Sequence, residues 1–151
     1  SGNIYVTGYT IGDLDGNTNA GSYDIFIVKY NSEGTKQWTQ QLGTASVEIT
    51  YRVSTDSSGN IYVTGYTNGS LDSNTNAGSN DLFLVKYNSE GTKQWTQQLG
   101  TASSDVAQGV STDSSGNIYV TGYTSGDLDG NTNAGSNDLF LVKYNSEGTL
   151  Q

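Results

Sequence analysis

The chain alternates short stretches of packable side chains with stretches of turn-forming residues. In residues 4–10 the even positions carry Ile, Val, Gly and Thr, and the odd positions carry Tyr, Thr and Tyr. A side-chain period of two is typical of a β-strand. Because both faces hold side chains that can pack, we expect this strand to be covered on both sides.

Three further strands are predicted before the pattern repeats. Residues 24–30 are almost continuously apolar, and residues 47–55 contain a strand centred on Val53. Residues 36–42 are more polar, which indicates an edge strand, and we expect Trp38 to cover that edge. The intervening segments are rich in Asn, Asp, Ser and Gly, which favour turns. No stretch shows a 3.6-residue period, so no helix is predicted.

The whole pattern recurs every 57 residues, so that Ile4, Ile61 and Ile118 are equivalent. Residues 4–60 and 61–117 differ at twelve positions, and six of these form the run 47–52. The third copy, 118–151, differs from 61–94 at four positions. Such near-identity indicates either recent duplication or design. The chain also starts in mid-repeat, and we expect it to be a stretch of a longer array.

Four short antiparallel strands per repeat are typical of a β-propeller blade. With strands named a to d from the axis outward, and Val53 in strand a, the chain reads b-c-d, a-b-c-d, a-b-c. We therefore predict an all-β fold, one array over residues 1–151 made of four-stranded antiparallel blades. Blade 1 is partial (1–46), blade 2 complete (47–103) and blade 3 partial (104–151). This is an incomplete ring, since propellers usually have about four to eight blades.

Three segments of the repeat carry a resemblance to a known family. Residues 56–65 and their continuation through 81–88 and 91–95 resemble the SBBP-type (bacterial seven-bladed) β-propeller repeat. The resemblance covers essentially all 151 residues. Arg52 departs from it, since the second copy has Gly109 there, and strand a of blade 2 is expected to be atypical. The resemblance implies a propeller in a secreted or cell-surface bacterial protein, and it implies no catalytic function.

Composition narrows the possible partners. The formal net charge is −9 and no cluster of Lys or Arg occurs, which argues against nucleic acids and anionic membranes. No apolar run is long enough to span a bilayer, so no membrane insertion is expected. The expected macromolecular partners are other copies of the chain or further blades of the same array.

Enzyme chemistry has little support in the sequence. His and Cys are absent, which removes the commonest general base and the thiolate nucleophile. A carboxylate pair such as Glu48 with Asp56 could act as acid and base, but nothing in the sequence places the two together. Arg52 is the sole arginine and is expected at the surface. We predict no enzyme and no catalytic residue.

The loop between strands b and c carries oxygen donors at positions 1, 3, 5, 7 and 12 of a twelve-residue window. Calcium loops of the EF-hand type use this spacing. Two positions depart from that pattern: position 6 lacks the usual Gly, and position 12 is Asp rather than Glu. The alternative is that the same Asx and Gly residues build a loop held by its own hydrogen bonds. The predicted calcium ligands are Asp13, Asp15, Asn17, Asn19 and Asp24, their equivalents Asp127, Asp129, Asn131, Asn133 and Asp138, and a weaker copy with Asp72, Asn74, Asn76 and Asp81.

Four tyrosines flank these loops: Tyr9, Tyr23, Tyr66 and Tyr123. Aromatic rings of this kind either pack between blades or stack on sugar rings, which would give a glycan-binding surface. The main prediction is a non-catalytic extracellular repeat scaffold or interaction module, part of a larger or multi-chain propeller. The alternatives are a lectin-like propeller, and a self-assembling filament or a designed or truncated propeller fragment.

Overall fold

The computed structural model describes residues 2–151 and contains ten β-strands. Each strand except β4 and β8 has seven residues, and these two have eight. The strands are β1 (Ile4–Thr10), β2 (Asp24–Tyr30), β3 (Lys36–Leu42), β4 (Glu48–Thr55), β5 (Ile61–Thr67), β6 (Asp81–Tyr87), β7 (Lys93–Leu99), β8 (Asp105–Thr112), β9 (Ile118–Thr124) and β10 (Asp138–Tyr144).

The strands form three antiparallel sheets in the order β1-β2-β3, β4-β5-β6-β7 and β8-β9-β10. Three, four and three strands are the predicted b-c-d, a-b-c-d and a-b-c, which confirms the all-β fold of incomplete propeller blades. We call these sheets blades 1, 2 and 3. The limits drawn at 46/47 and 103/104 fall between sheets, and as domain boundaries they stay a prediction.

Two short helical turns were not predicted. Leu71–Ser73 and Leu128–Gly130 are 3-10 turns in the loops after β5 and β9. Asp72 and Asp129 within them adopt φ near +50°, a left-handed conformation that Asp tolerates because its short polar side chain can bond locally. A three-residue turn has no 3.6-residue period to detect. Neither helix in the described residues could cross a membrane.

The hydrophobic core lies between the blades. In one cluster, Ile25 and Ile27 of blade 1 pack on Ile61, Val63 and other residues of blade 2. In the second cluster, Tyr62, Leu82 and Leu84 of blade 2 pack on residues of blade 3, which include Ala107, Ile118 and Val120. Blades 1 and 2 thus each bury one face against the following blade, and blade 2 buries both of its faces, as the two packable faces of its strands predict.

The innermost strands carry the same irregularity in both copies. The pairing of β4 with β5 shifts register between Thr50 and Arg52, and the pairing of β8 with β9 shifts between Ala107 and Gly109. One extra residue in one strand is a β-bulge. The change from Arg52 to Gly109 therefore leaves the strand pairing unchanged, contrary to the expectation of an atypical strand.

Candidate functional site

The carboxylates of the first loop between strands b and c bond to separate parts of that loop. One Asp13 oxygen accepts the Asn19 backbone N–H at 2.8 Å. Asp15 pairs with Lys36 at 2.5 Å and accepts the Thr39 hydroxyl at 2.6 Å. The hydrogen bond from Lys36, with that from Thr39, lowers the pKa of the Asp15 carboxyl below its usual range. Asp13 closes the loop, whereas Asp15 ties it to the outer strand.

The other predicted ligands of this loop also have partners. The Asn17 amide donates to the Leu14 carbonyl at 2.9 Å, and Asn19 accepts the Gly21 N–H at 3.0 Å. Asp24 Oδ2 accepts the Ala20 N–H at 2.8 Å and the Gln41 amide at 3.1 Å. These are the Asx contacts of a self-bonded loop.

The second and third loops repeat most of this arrangement. In the third loop, Asp127 accepts from the Asn133 N–H, Asn131 donates to the Leu128 carbonyl, Asn133 accepts from the Gly135 N–H, and Asp138 accepts from the Ala134 N–H. In the second loop, Asp72 bonds to Lys93 and Thr96, Asn74 donates to the Leu71 carbonyl, Asn76 accepts from the Gly78 N–H, and Asp81 accepts from the Ala77 N–H.

Ser70 stands where the other two loops have Asp13 and Asp127. Its hydroxyl oxygen accepts the Asn76 N–H at 3.2 Å, as the Asp13 carboxylate does with Asn19. The turn is therefore kept while the charge is lost. Within residues 2–151, no three acidic side chains lie close enough together to hold one metal ion. Calcium binding by these loops stays a prediction.

The blade junctions contain buried acidic residues whose structural role the sequence did not predict. Glu48, at the start of β4, is fully buried. It accepts the backbone N–H of Thr44 at 2.7 Å and the hydroxyls of Thr44 and Thr67 at 2.8 and 2.7 Å. Asp105 occupies the equivalent place in β8 and accepts from Thr101 and Thr124. Three or more donors satisfy each carboxylate without a positive partner.

A sequence signal for these acids exists. The run 47–52 differs at every position from its counterpart 104–109, yet an acidic residue stands second in both. Glu48 and Asp56, the pair considered as acid and base, lie at opposite ends of β4: Glu48 is its first residue and Asp56 follows its last residue, Thr55. The eight residue steps from Glu48 to Asp56 span about 26 Å, at roughly 3.3 Å per residue. The structure does not bring this pair together.

Asp56 and Asp113 hold the turns that lead into strand b. Asp113 accepts the backbone N–H of Ser115 and of Asn117, both at 2.9 Å, and the Tyr119 hydroxyl at 3.1 Å. Hydrogen bonds from the Asn117 side chain and backbone, with those from Tyr119 and Ser115, lower the pKa of Asp113 to about 2. A carboxylate held ionised by turn donors is a structural anchor.

Lysine and tryptophan side chains link each blade to the next. Trp38 donates its indole N–H to the Ser89 carbonyl at 3.3 Å, and its ring lies against Gly91. Lys29 donates to the same carbonyl at 2.7 Å. Lys86 and Trp95 repeat both bonds onto Ser146 of blade 3, at 2.9 and 3.3 Å. The tryptophans, expected to cover the blade edge, therefore bridge two blades.

Tyrosines of the three blades lie near one another beside the innermost strands, and the ring contacts among them are each within one blade. Burial raises the pKa of the Tyr66 hydroxyl, and the nearby hydroxyls of Tyr51, Tyr123 and Tyr9 raise that pKa further. The Tyr51 and Tyr66 rings are 6.1 Å apart, and Tyr9 meets Tyr23 edge-on at 5.3 Å. Tyr9 and Tyr51 are exposed. We call Tyr9, Tyr51, Tyr66 and Tyr123 the tyrosine rim, and Tyr51 was not predicted to belong to it.

Comparisons with known proteins agree with this architecture. A family model, the SBBP β-propeller repeat, matches residues 37–77 and 94–129. Both matches start near the beginning of strand d and run through strands a and b of the following blade. They are offset by the 57-residue period.

Two curated proteins are similar to the chain. An uncharacterised WD repeat-containing protein of Acanthamoeba polyphaga mimivirus is 31% identical over 146 residues, and the match covers 85% of this chain. The regulatory protein FlaEY of Caulobacter vibrioides is 26% identical over 150 residues, or 92% of this chain. The matches cover only 10% and 16% of the lengths of these relatives.

Proposed function

The chain belongs to the SBBP β-propeller repeat family, and on that premise we propose that it is a non-catalytic extracellular interaction scaffold. It serves as part of a larger or multi-chain propeller. The names of the two relatives, a WD repeat-containing protein and a regulatory protein, are compatible with an interaction role. The extracellular setting rests on the family resemblance.

One observation carries the non-catalytic part of the proposal: the acidic side chains work as structural anchors. Glu48 and Asp105 hold the blade junctions through backbone and hydroxyl donors, and Asp56 and Asp113 hold turns. A general acid or base needs a proton that it can exchange with a substrate within hydrogen-bond reach. These carboxylates have their oxygens filled by donors of the fold.

A hydrolysis screen tests this directly. The chain is offered glycosides, carboxylic esters, phosphate esters and peptides, beside the Glu48→Gln and Asp56→Asn variants. We expect no turnover above that of the variants. Turnover that disappears in either variant, while the fold persists by circular dichroism, would show catalysis.

Protease treatment of intact cells that produce the protein tests the extracellular setting, because a surface protein is cleaved without lysis.

We also propose that calcium binds the first and third loops between strands b and c, and the second loop more weakly. Ligand that binds only the folded state raises the unfolding temperature. We expect millimolar calcium to raise the unfolding temperature and magnesium to have a smaller effect. Asp13→Ser with Asp127→Ser copies the natural Ser70 loop, which keeps its turn, and should remove most of the rise.

Ser70→Asp is the complementary variant, and it should enlarge the effect of calcium. An unfolding temperature that does not respond to calcium in the wild type or in Ser70→Asp would refute calcium binding. The scaffold proposal would stand, because the loops close through their own hydrogen bonds.

The tyrosine rim favours a second candidate function, the binding of neutral sugars. Exposed aromatic faces beside phenolic hydroxyls can pack against the C–H face of a pyranose and bond to its hydroxyls. The net charge of −9 disfavours acidic glycans. Because Tyr9 is exposed and strand β1 stays intact without its ring, Tyr9→Ala should weaken oligosaccharide binding on a glycan array at least about tenfold. Ile11→Ala, another exposed apolar residue of blade 1, is the control.

A further inference from the structure

Each blade has two faces that differ in role. The leading face packs on the following blade and is represented in blade 2 by Tyr62, Leu82 and Leu84. The trailing face packs on the preceding blade and is represented in blade 2 by Ile61 and Val63. All five of these side chains are at most 1% exposed. Blade 2 therefore defines how a leading face meets a trailing face in this protein.

Within residues 2–151, no other blade covers the leading face of blade 3 or the trailing face of blade 1. Leu139 and Leu141, equivalent to Leu82 and Leu84, are 85% and 66% exposed. Ile4 and Val6, equivalent to Ile61 and Val63, are 49% and 44% exposed. A groove of 480 Å³ lies over the blade 3 face and is lined by Leu139, Leu141 and Lys143 among others. In blade 2 the next blade covers the equivalent leucines.

A polar contact fixes the register of the existing junctions. Lys29 donates to the carbonyl of Ser89, and Lys86 donates to the carbonyl of Ser146, so each lysine reaches the turn between strands c and d of the next blade. Lys143 is the third lysine of this series and lies over the Tyr119 ring at 5.9 Å. On blade 1, the carbonyl of Ser32 occupies the position of the Ser89 and Ser146 carbonyls.

We propose that the leading face of blade 3 binds the trailing face of blade 1 of a second copy of this chain. Leu139 and Leu141 pack against Ile4 and Val6 of the other copy, and Lys143 donates to the Ser32 carbonyl of the other copy. The argument is continuity with the two junctions inside the chain, which join apolar side chains at equivalent positions of the repeat. The contact is head to tail, so it builds closed rings of two or more copies, or open filaments.

This inference rests on the proposed scaffold function and names the partner. The test is the mass in solution, by light scattering and sedimentation, from about 10 μM to about 1 mM. The wild type should exceed its monomer mass of 16.0 kDa and grow with concentration. Leu139→Glu with Leu141→Glu should stay monomeric and folded, because both side chains are exposed in the single chain. Ile11→Glu, an exposed apolar residue outside the two faces, should assemble like the wild type.

Two variants, each with Glu substitutions on only one of the two faces, can be mixed for a sharper test. A chain with Ile4→Glu and Val6→Glu lacks only the trailing face, so it should be monomeric alone. Mixed with the Leu139→Glu, Leu141→Glu chain, it should form dimers that grow no further. The first chain supplies an intact leading face and the second an intact trailing face, and no other intact face remains. Lys143→Met should weaken wild-type assembly about tenfold, since it removes one charge-assisted hydrogen bond per contact.

A wild type that stays monomeric at about 1 mM would overturn the proposal. Assembly by the wild type without dimers in the mixture would overturn it too, since the contact would then use other surfaces. Neither result touches the scaffold role, which fails only if the hydrolysis screen finds turnover. The two proposals therefore fail separately.

Discussion

At the scale of single residues, the structure explains several positions by what lies beside them. Gly65 and Gly122 sit opposite the β-bulge of the neighbouring strand a, where a Cβ would lie 1.9 Å from the carbonyl oxygen of Ile49 or Val106. The sequence shows both glycines inside a strand, where Gly weakens pairing and often marks a bulge or a close approach. The sequence could not show that the carbonyl oxygen of Ile49 or Val106 is the atom that approaches the glycine, because each lies 16 residues earlier in the chain.

Gly65→Ala should therefore destabilise the protein. The added methyl group meets rigid backbone at Ile49 and Thr50, and overpacking of this kind costs about 3 kcal/mol. Urea unfolding measures the loss. Gly135→Ala is the matched control, since nothing lies within 4 Å of its Cβ position, and it should change the free energy of unfolding by less than about 0.5 kcal/mol. Equal effects of the two substitutions would contradict the close approach.

Asp113 predicts a pH dependence at the same scale. Its folded pKa, about 2, lies below the ordinary value of 3.8 because turn donors stabilise the ionised form. Its contribution to stability is therefore complete above about pH 4 and is lost as the pH falls through the folded pKa. In urea unfolding at pH 5 and pH 2, Asp113→Asn should lose less stability between the two pH values than the wild type. Parallel losses would rule out this role.

At the scale of elements, the period of two located the strands, and all ten begin and end within about one residue of the predicted limits. The pattern could not reveal the 3-10 turns, because they are held by the local geometry of Asp72 and Asp129. Nor could it show that Lys86 and Trp95 reach across a blade junction. Lys86 lies on strand c and Trp95 on strand d of blade 2, whereas their partner, the Ser146 carbonyl, belongs to the next repeat.

Lys86→Met tests the junction between blades 2 and 3. Lys86 donates to the Ser146 carbonyl at 2.9 Å and lies over the Tyr62 ring at 5.7 Å. The loss of both contacts should lower the free energy of unfolding by about 1–2 kcal/mol. Lys36→Met carries the same change at an exposed ion pair with Asp15, where we expect less than about 1 kcal/mol. A larger effect at Lys36 would mean that the junction contact is unimportant.

At the scale of the whole molecule, the 57-residue period and the strand count per repeat predicted three blades with three, four and three strands. The same reasoning identified the loop donors as calcium ligands, but the spacing of donors along a loop does not fix where they point. In the first loop, Asp13 and Asn17 bond within the loop and Asp15 bonds to the adjacent outer strand. The structural role of the acids at the blade junctions could not be predicted, because their donors come from segments up to 19 residues away.

The account depends most on the face-to-face stacking of blades, and a proton NMR measurement tests that stacking directly. The Cβ positions of Gly91 and Gly148 lie 2.8 and 2.9 Å from Cδ2 of Trp38 and Trp95, so one α-proton of each glycine points at an indole ring. Both α-protons should resonate well upfield of other glycines, and Trp95→Leu should abolish only the shift of Gly148. Ordinary glycine shifts in the wild type would mean that the blades do not stack in this way.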